Sequence, residues 1–167
     1  MRLELRDIIH TPDAEKAFHF ELDLSQLDFY GRKPISRPVI ADGRVTNHAG
    51  ALVLEGTAHS LLDLVCDRCG EPFSREKVVK LDCLVAQELE DEENDEIFLL
   101  DGTELDLDEV VTTAFVLAMD TKVLCSESCK GLCAGCGANL NREPCRCKPE
   151  IDPRLAPLAK LLNSETK

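Results

Sequence analysis

The stretch from 125 to 147, CSESCKGLCAGCGANLNREPCRC, places six cysteines within 23 positions, and no other feature restricts the folding of this chain as strongly. Thiols at that density imply disulfides, a metal, an iron–sulfur cluster or a redox reaction. The opening residues, MRLELRDIIH, carry no apolar run of the kind an export signal needs, and no segment approaches the length of a membrane span. The expected compartment is therefore a reducing cytoplasm, where disulfides rarely persist. Metal or thiol chemistry is the expectation that remains.

Two segments, CDRCG at 66–70 and CAGCG at 133–137, share one form: two cysteines separated by two residues, then glycine. In a metal knuckle the two thiolates converge on one ion while the backbone turns its N–H groups toward the sulfurs. The turn after the second cysteine needs a residue at ease with positive φ, hence glycine. With Cys125 and Cys129, and with Cys145 and Cys147, these pairs make eight candidate ligands: Cys66, Cys69, Cys125, Cys129, Cys133, Cys136, Cys145 and Cys147. Two four-thiolate sites are the closed arrangement usual for structural zinc, so two zinc ions are expected. Four near-neighbour pairs can join in three ways. Proximity favours Cys133 and Cys136 with Cys145 and Cys147, leaving Cys66 and Cys69 to meet Cys125 and Cys129. The likeness of the two Cys-Gly knuckles favours joining those instead, as in a zinc ribbon.

Other cysteine chemistries fit less well. Cys129, Cys133 and Cys136 have the C-x3-C-x2-C spacing of radical enzymes with a four-iron cluster, but the 31 residues after Cys136 are too few for such a barrel. The spacing matches neither common ferredoxin run. A thiol oxidoreductase places its C-x-x-C at a helix start in a βαβ context, whereas CDRC lies between expected strands. Cys83 sits among Leu81 and Val85 on an apolar strand face and reads as a small core residue. His10, His19, His48 and His59 lack ligand spacing to any cysteine and read as surface or sheet residues.

Around the cysteines the pattern is α+β, strand-rich and antiparallel early, helix and knuckle late. Phe18, Phe20 and Leu22 alternate with polar residues as in a half-buried strand. YGRKP marks a turn, and RPVIADGRVTNHAG reads as a strand interrupted at Asp42-Gly43. Leu52, Leu54, Ala58, Leu62 and Leu64 form one face of a long segment; Phe73, Val79, Leu81, Cys83, Val85 and Leu89 form one face of the next. Together these predict a long β-hairpin with Cys66 and Cys69 near its tip. DGTELDLDEVVTTAFVLAMD reads as a helix, capped by Thr103 with Asp106 three residues on, its buried face Leu107, Val110, Val111, Ala114, Leu117 and Ala118. IDPRLAPLAKLL predicts a short terminal helix with Asp152 as cap and Pro153 first. The expected division is an α+β domain over 1–120 with an acidic loop at 88–96, and a cysteine-rich module with its short helix over 121–167.

The formal charge is −13, which opposes simple electrostatic binding of nucleic acid. Residues 86–110 supply twelve acidic and no basic groups, so the acidity is local, and residues 120–167 carry eight basic against six acidic. Cationic candidates for contact with RNA or a partner are Lys122, Lys130, Arg142, Arg146 and Lys148. The run ELEDEENDE reads as a solvated loop.

In order along the chain, VCDRCGEPF after a long strand, an acidic segment, LDLDEVV leading a helix, CKGLCAGCGANLN, CRC and DPRLAPLAKLL resemble the YceD family. The resemblance covers nearly the whole chain and is similar to the cysteine-rich branch of that family. It implies a bacterial cytoplasmic or a plastid protein needed for 23S ribosomal RNA to accumulate or be processed, with large-subunit precursor rRNA or ribosomal proteins as partners. Some relatives keep the first C-x-x-C and lack most of the later cluster, which implies that the C-terminal metal module is an addition. The resemblance supplies no catalytic residues. The expected role is a non-enzymatic ribosome-biogenesis factor. The rivals are a redox- or metal-responsive thiol protein and an RNA-processing enzyme with an unrecognised active site.

Overall fold

The computed structural model describes residues 1–88 and 97–147. Five strands form one sheet in the order β2-β3-β4-β5-β6: β2 (Glu15–Leu22), β3 (Val39–His48), β4 (Ala51–Val65), β5 (Pro72–Ala86) and the short β6 (Ile97–Leu99). The first four pair antiparallel; β6 joins the edge parallel to β5. A second, two-stranded sheet pairs β1 (Arg2–Glu4) with β7 (Glu104–Asp106), which runs straight into the helix α2 (Leu107–Leu117). A single helical turn, α1 (Arg6–Ile9), follows β1.

Alternation decides which face of the large sheet is buried. Phe18 and Phe20 on β2, Val39, Ala41 and Val45 on β3, Leu52, Leu54, Ala58 and Leu62 on β4, and Val79, Leu81 and Val85 on β5 all point to one side. Leu107, Val110, Val111 and Phe115 of α2 complete that core, with Leu3, Leu5 and Ile8 from the start of the chain and Leu24 and Ile35 from the β2–β3 connection. Buried Asn47 (1% exposed) closes one end. Its amide donates to the carbonyls of Ile8 and Ile9 at 2.7 and 2.8 Å, and its oxygen accepts from Gly50 N–H at 2.7 Å.

Three expectations are corrected. β3 does not break at Asp42-Gly43; it runs through, and its turn is at Ala49-Gly50, both with positive φ, as a two-residue hairpin requires. Gly43 marks a close approach instead. It lies opposite Gly56, and a Cβ at Gly43 would sit 2.5 Å from the Glu55 carbonyl oxygen and 2.6 Å from the Phe18 ring. The predicted helix start is a strand: Leu105 pairs with Leu3, and the cap is Asp106, whose carboxylate accepts from Asp108 N–H at 3.0 Å. Pairing with β1 satisfies the backbone of 104–106, so helix formation waits for Leu107. Leu117 is 80% exposed and Phe115 takes the buried position: the two flank Leu107 at about 80° on opposite sides, and the helix packs with the Phe115 side, 107, 110, 111 and 115, against the core. The acidic run from Leu89 and the predicted terminal helix at 151–162 lie outside the described residues.

The β4–β5 hairpin has two 15-residue arms paired from Leu52↔Val85 to Val65↔Pro72. At about 3.3 Å per residue each arm is roughly 50 Å long. The buried apolar cluster stops at Leu62 and Val79, with Leu64 packed at its margin. The tip therefore lies beyond the main core and needs a core of its own.

The α2 face is tested by two truncations followed by urea unfolding. Phe115→Ala should cost about 3–5 kcal/mol, whereas Leu117→Ala should stay within about 0.5 kcal/mol. Equal losses would contradict the observed burial of Phe115 and exposure of Leu117.

Candidate metal centres

The tip of the hairpin is the knuckle Cys66–Cys69, closed by the Gly70 N–H donating to the Cys66 carbonyl at 2.8 Å, with Gly70 at φ 71°. The second knuckle, Cys133–Cys136, repeats this: Gly137 N–H donates to the Cys133 carbonyl at 2.9 Å, also at φ 71°. Each glycine thus occupies the left-handed conformation that the sequence motif implied.

The chain after α2 turns back onto the tip. Asp67 and Val123 exchange two bonds, Asp67 N–H to the Val123 carbonyl at 2.8 Å and Val123 N–H to the Asp67 carboxylate at 2.6 Å. Leu132 N–H reaches the Arg68 carbonyl at 3.0 Å, the Arg68 guanidinium donates to the Cys129 carbonyl at 3.0 Å, and Arg75 donates to the Leu124 carbonyl. Lys77 adds an ion pair to Asp120 at 3.2 Å. This stitching delivers Cys125 and Cys129 to Cys66 and Cys69. Cys66, Cys69 and Cys129 are 1%, 5% and 5% exposed and form a separate buried cluster with Phe73 and Leu124 at its margin.

Two four-sulfur groups result: Cys66, Cys69, Cys125 and Cys129, and Cys133, Cys136, Cys145 and Cys147, each with its sulfurs within 4.8 Å of one another. This is the grouping that proximity favoured; the two knuckles do not share a site. In the first centre Cys66 and Cys129 sulfurs are 3.8 Å apart and those of Cys69 and Cys125 are 3.7 Å apart. Tetrahedral ligands about 2.3 Å from one ion stand roughly 3.8 Å from each other, so the spacing fits a mononuclear site. In the second, the Cys133–Cys145, Cys133–Cys147 and Cys136–Cys145 separations of 3.2, 3.7 and 4.0 Å bracket that value. All are far beyond the ~2.05 Å of a disulfide.

The thiols are electrically prepared for a cation. Backbone N–H groups, first that of Cys125 and then those of Cys69 and Arg68, pull the Cys66 thiol down to about 6 against its burial. The Cys136 N–H, with the neighbouring Cys145 thiol, does the same for Cys133, also to about 6. The Asn141 side-chain amide, 3.3 Å from the Cys129 sulfur, lowers Cys129. By contrast burial, then the sulfurs of Cys66, Cys129 and Cys69, push Cys125 up to about 12, and the sulfurs of Cys136, Cys145 and Cys133 push Cys147 to about 12. Once some sulfurs are anionic, the remaining thiols in each group resist ionisation. A divalent cation at the centre removes that conflict and lets all four ionise. The donor set therefore fits a metal ion.

Cys83 belongs to neither group. It packs at the margin of the main core, and burial followed by the charge of Asp82 raises its thiol to about 11. Of the cationic candidates, Lys122 and Lys130 are exposed, with no ion pair among the described residues. Arg142 pairs with Glu71 at 2.8 Å and Arg146 with Glu143 at 2.6 Å; Lys148 lies outside the described residues. Arg68, Glu71, Asp67 and Asn141, which support the first centre, escaped the sequence reading. They are ordinary polar residues whose role depends on partners 56 to 71 positions away, or on the loop that carries Asn141.

A family model described as "Large ribosomal RNA subunit accumulation protein YceD" matches residues 54–162. The chain is 29% identical over 189 residues to a Zea mays protein named "Large ribosomal RNA subunit accumulation protein YCED homolog 1, chloroplastic", covering 94% of this chain and 64% of that one. It is also 29% identical over 167 residues to an uncharacterized protein of Mycobacterium tuberculosis, covering 98% and 75%. The Arabidopsis thaliana protein with the same name as the maize one is 26% identical over 159 residues, covering 77% and 50%. The chain thus spans less than two thirds of the length of the maize relative and half that of the Arabidopsis one. No solved structure matches.

Elemental analysis of protein purified without chelator should find two metal ions per chain, one for each four-sulfur group. Cys66→Ser and Cys136→Ser should each remove one. Retention of both ions by either variant would show that its sulfur is not a ligand. Cys83→Ala should leave the metal content unchanged and cost about 1 kcal/mol in denaturant unfolding; loss of metal would place Cys83 in a centre.

Proposed function

The chain belongs to the YceD family, and we propose that it supports the accumulation of large-subunit (23S) ribosomal RNA as a non-enzymatic biogenesis factor. It acts on precursor particles, or on the rRNA and ribosomal proteins within them, in the cytoplasm. The reading rests on the family match over 54–162, a span that takes in most of the long hairpin, α2 and all eight clustered cysteines.

Both centres are structural zinc sites in this reading. A four-thiolate site leaves no coordination position for a substrate or an activated water, which supports a scaffold rather than a catalyst. The sulfur spacing of a single coordination sphere favours a mononuclear ion over an iron–sulfur cluster, which spreads its thiolates over several irons. Zinc supplies charge neutralisation and fixed geometry, with no redox chemistry of its own. Lys122, Lys130, Arg142, Arg146 and Lys148 are then the groups that attract RNA, while the acidic run Glu90 to Glu93 engages a basic ribosomal protein or holds RNA off. No helix among the described residues is long and apolar enough to cross a membrane.

Native capture from cells, with the bound RNA and proteins identified, should recover large-subunit rRNA precursors or large-subunit proteins. Recovery of neither overturns the reading. Replacing Lys122, Lys130, Arg142 and Arg146 together by Gln should weaken particle association without loss of zinc. It should also flatten the salt dependence by up to roughly 0.7 log units per lost phosphate contact. If association is untouched while neutralising Glu90 to Glu93 abolishes it, the contact is with protein through the acidic run.

A further inference from the structure

The two centres are chemically alike but differently housed. The first draws its sulfurs from segments 56 to 63 positions apart; Cys66, Cys69 and Cys129 are almost fully buried and Cys125 alone is exposed. The second is built within 133–147; Cys136, Cys145 and Cys147 are exposed and Cys133 is half-buried. The second centre thus offers a chelator three exposed sulfurs where the first offers one.

Between Cys136 and Cys145 the chain makes a strap, residues 139–142, that lies against the first centre. Asn141 donates from its amide to the Cys129 sulfur at 3.3 Å and accepts from the Lys130 N–H at 2.8 Å. Leu140 N–H donates to the Gly131 carbonyl at 2.9 Å. Asn139 and Arg142 both donate to the carboxylate of Glu71, at 3.2 and 2.8 Å, and the Glu71 carbonyl in turn accepts from the Cys66 N–H at 2.9 Å. These side-chain attachments and the Leu140 bond fall on a residue of the first centre or within two positions of one, and Asn139 also pairs with Leu132.

We propose that the second centre is a latch on the first: its four cysteines anchor both ends of the 139–142 strap, and the strap holds Asn141 on the Cys129 sulfur. Asn141 is a positioning residue here. An amide N–H donated to a ligating sulfur fixes its orientation toward the ion, and the strap covers Cys129. When Cys133, Cys136, Cys145 and Cys147 lose their metal, the strap loses its anchors, Asn141 leaves Cys129, and the first centre becomes exchangeable. Loss of metal is then ordered and coupled, from the exposed centre to the buried one. The inference rests on the reading of both groups as metal centres.

The test is release of zinc to the chromogenic chelator 4-(2-pyridylazo)resorcinol from the full chain, with zinc content measured beforehand. The intact protein should show two phases, the slow one from the first centre. Cys145→Ser with Cys147→Ser should leave one zinc and speed its release roughly tenfold or more. Asn141→Asp keeps both centres and the acceptor for Lys130 but removes the donor to Cys129. It should bind two zinc ions and speed only the slow phase, by a similar factor. If zinc-loaded Asn141→Asp and the double variant both release the slow ion at the original rate, the latch is overturned while the metal reading stands. If the intact chain binds no metal, both fall together.

Discussion

The structure depends on what happens at the far end of one hairpin. Its strands outrun the sheet's apolar core, and a two-stranded ribbon with no core is marginal in water. The four sulfurs of Cys66, Cys69, Cys125 and Cys129 take the place of that missing core, with Phe73 and Leu124 beside them. The described chain that follows α2 serves this need: the return of the chain, the Asp67–Val123 exchange and the Arg68 contacts all bring a second cysteine pair to the tip.

The same need ties the two sides of position 120 together. The first centre takes two sulfurs from each side of it. The second centre is local to the cysteine-rich stretch, yet its strap is spent on the first. The described knuckle end is therefore continuous with the hairpin through these bonds, and it carries Lys122, Lys130, Arg142 and Arg146.

Charge follows the same division. Acidic groups dominate from 86 to 110, while the cysteine-rich end is slightly basic. Arg142 and Arg146 are committed to Glu71 and Glu143, but at 70% and 78% side-chain exposure such pairs are weak and can be exchanged for a stronger anionic partner. Of the candidate cations, Lys122 and Lys130 have no ion pair among the described residues.

Much of this was legible in the residue order. Alternation placed β2, β4 and β5 and their buried faces; the Cys-x-x-Cys-Gly repeats placed both knuckles; proximity paired the cysteines. These are local signals, carried by period two and by fixed turn geometry. The brief strands β1, β6 and β7 were not legible, because three residues carry no period and pair only where tertiary packing brings them together. Asp-Gly at 42–43 resembled a turn until Gly56 across the sheet showed why a residue without Cβ is needed there. The helix lost its first turn to a strand for the same reason. The sequence alone determined the secondary-structure type of the long elements and the donor chemistry of the cysteines. Only the tertiary structure decided which residues support those sulfurs, because Glu71, Arg68 and Asn141 become neighbours of the first centre only after the chain has turned back onto its own hairpin.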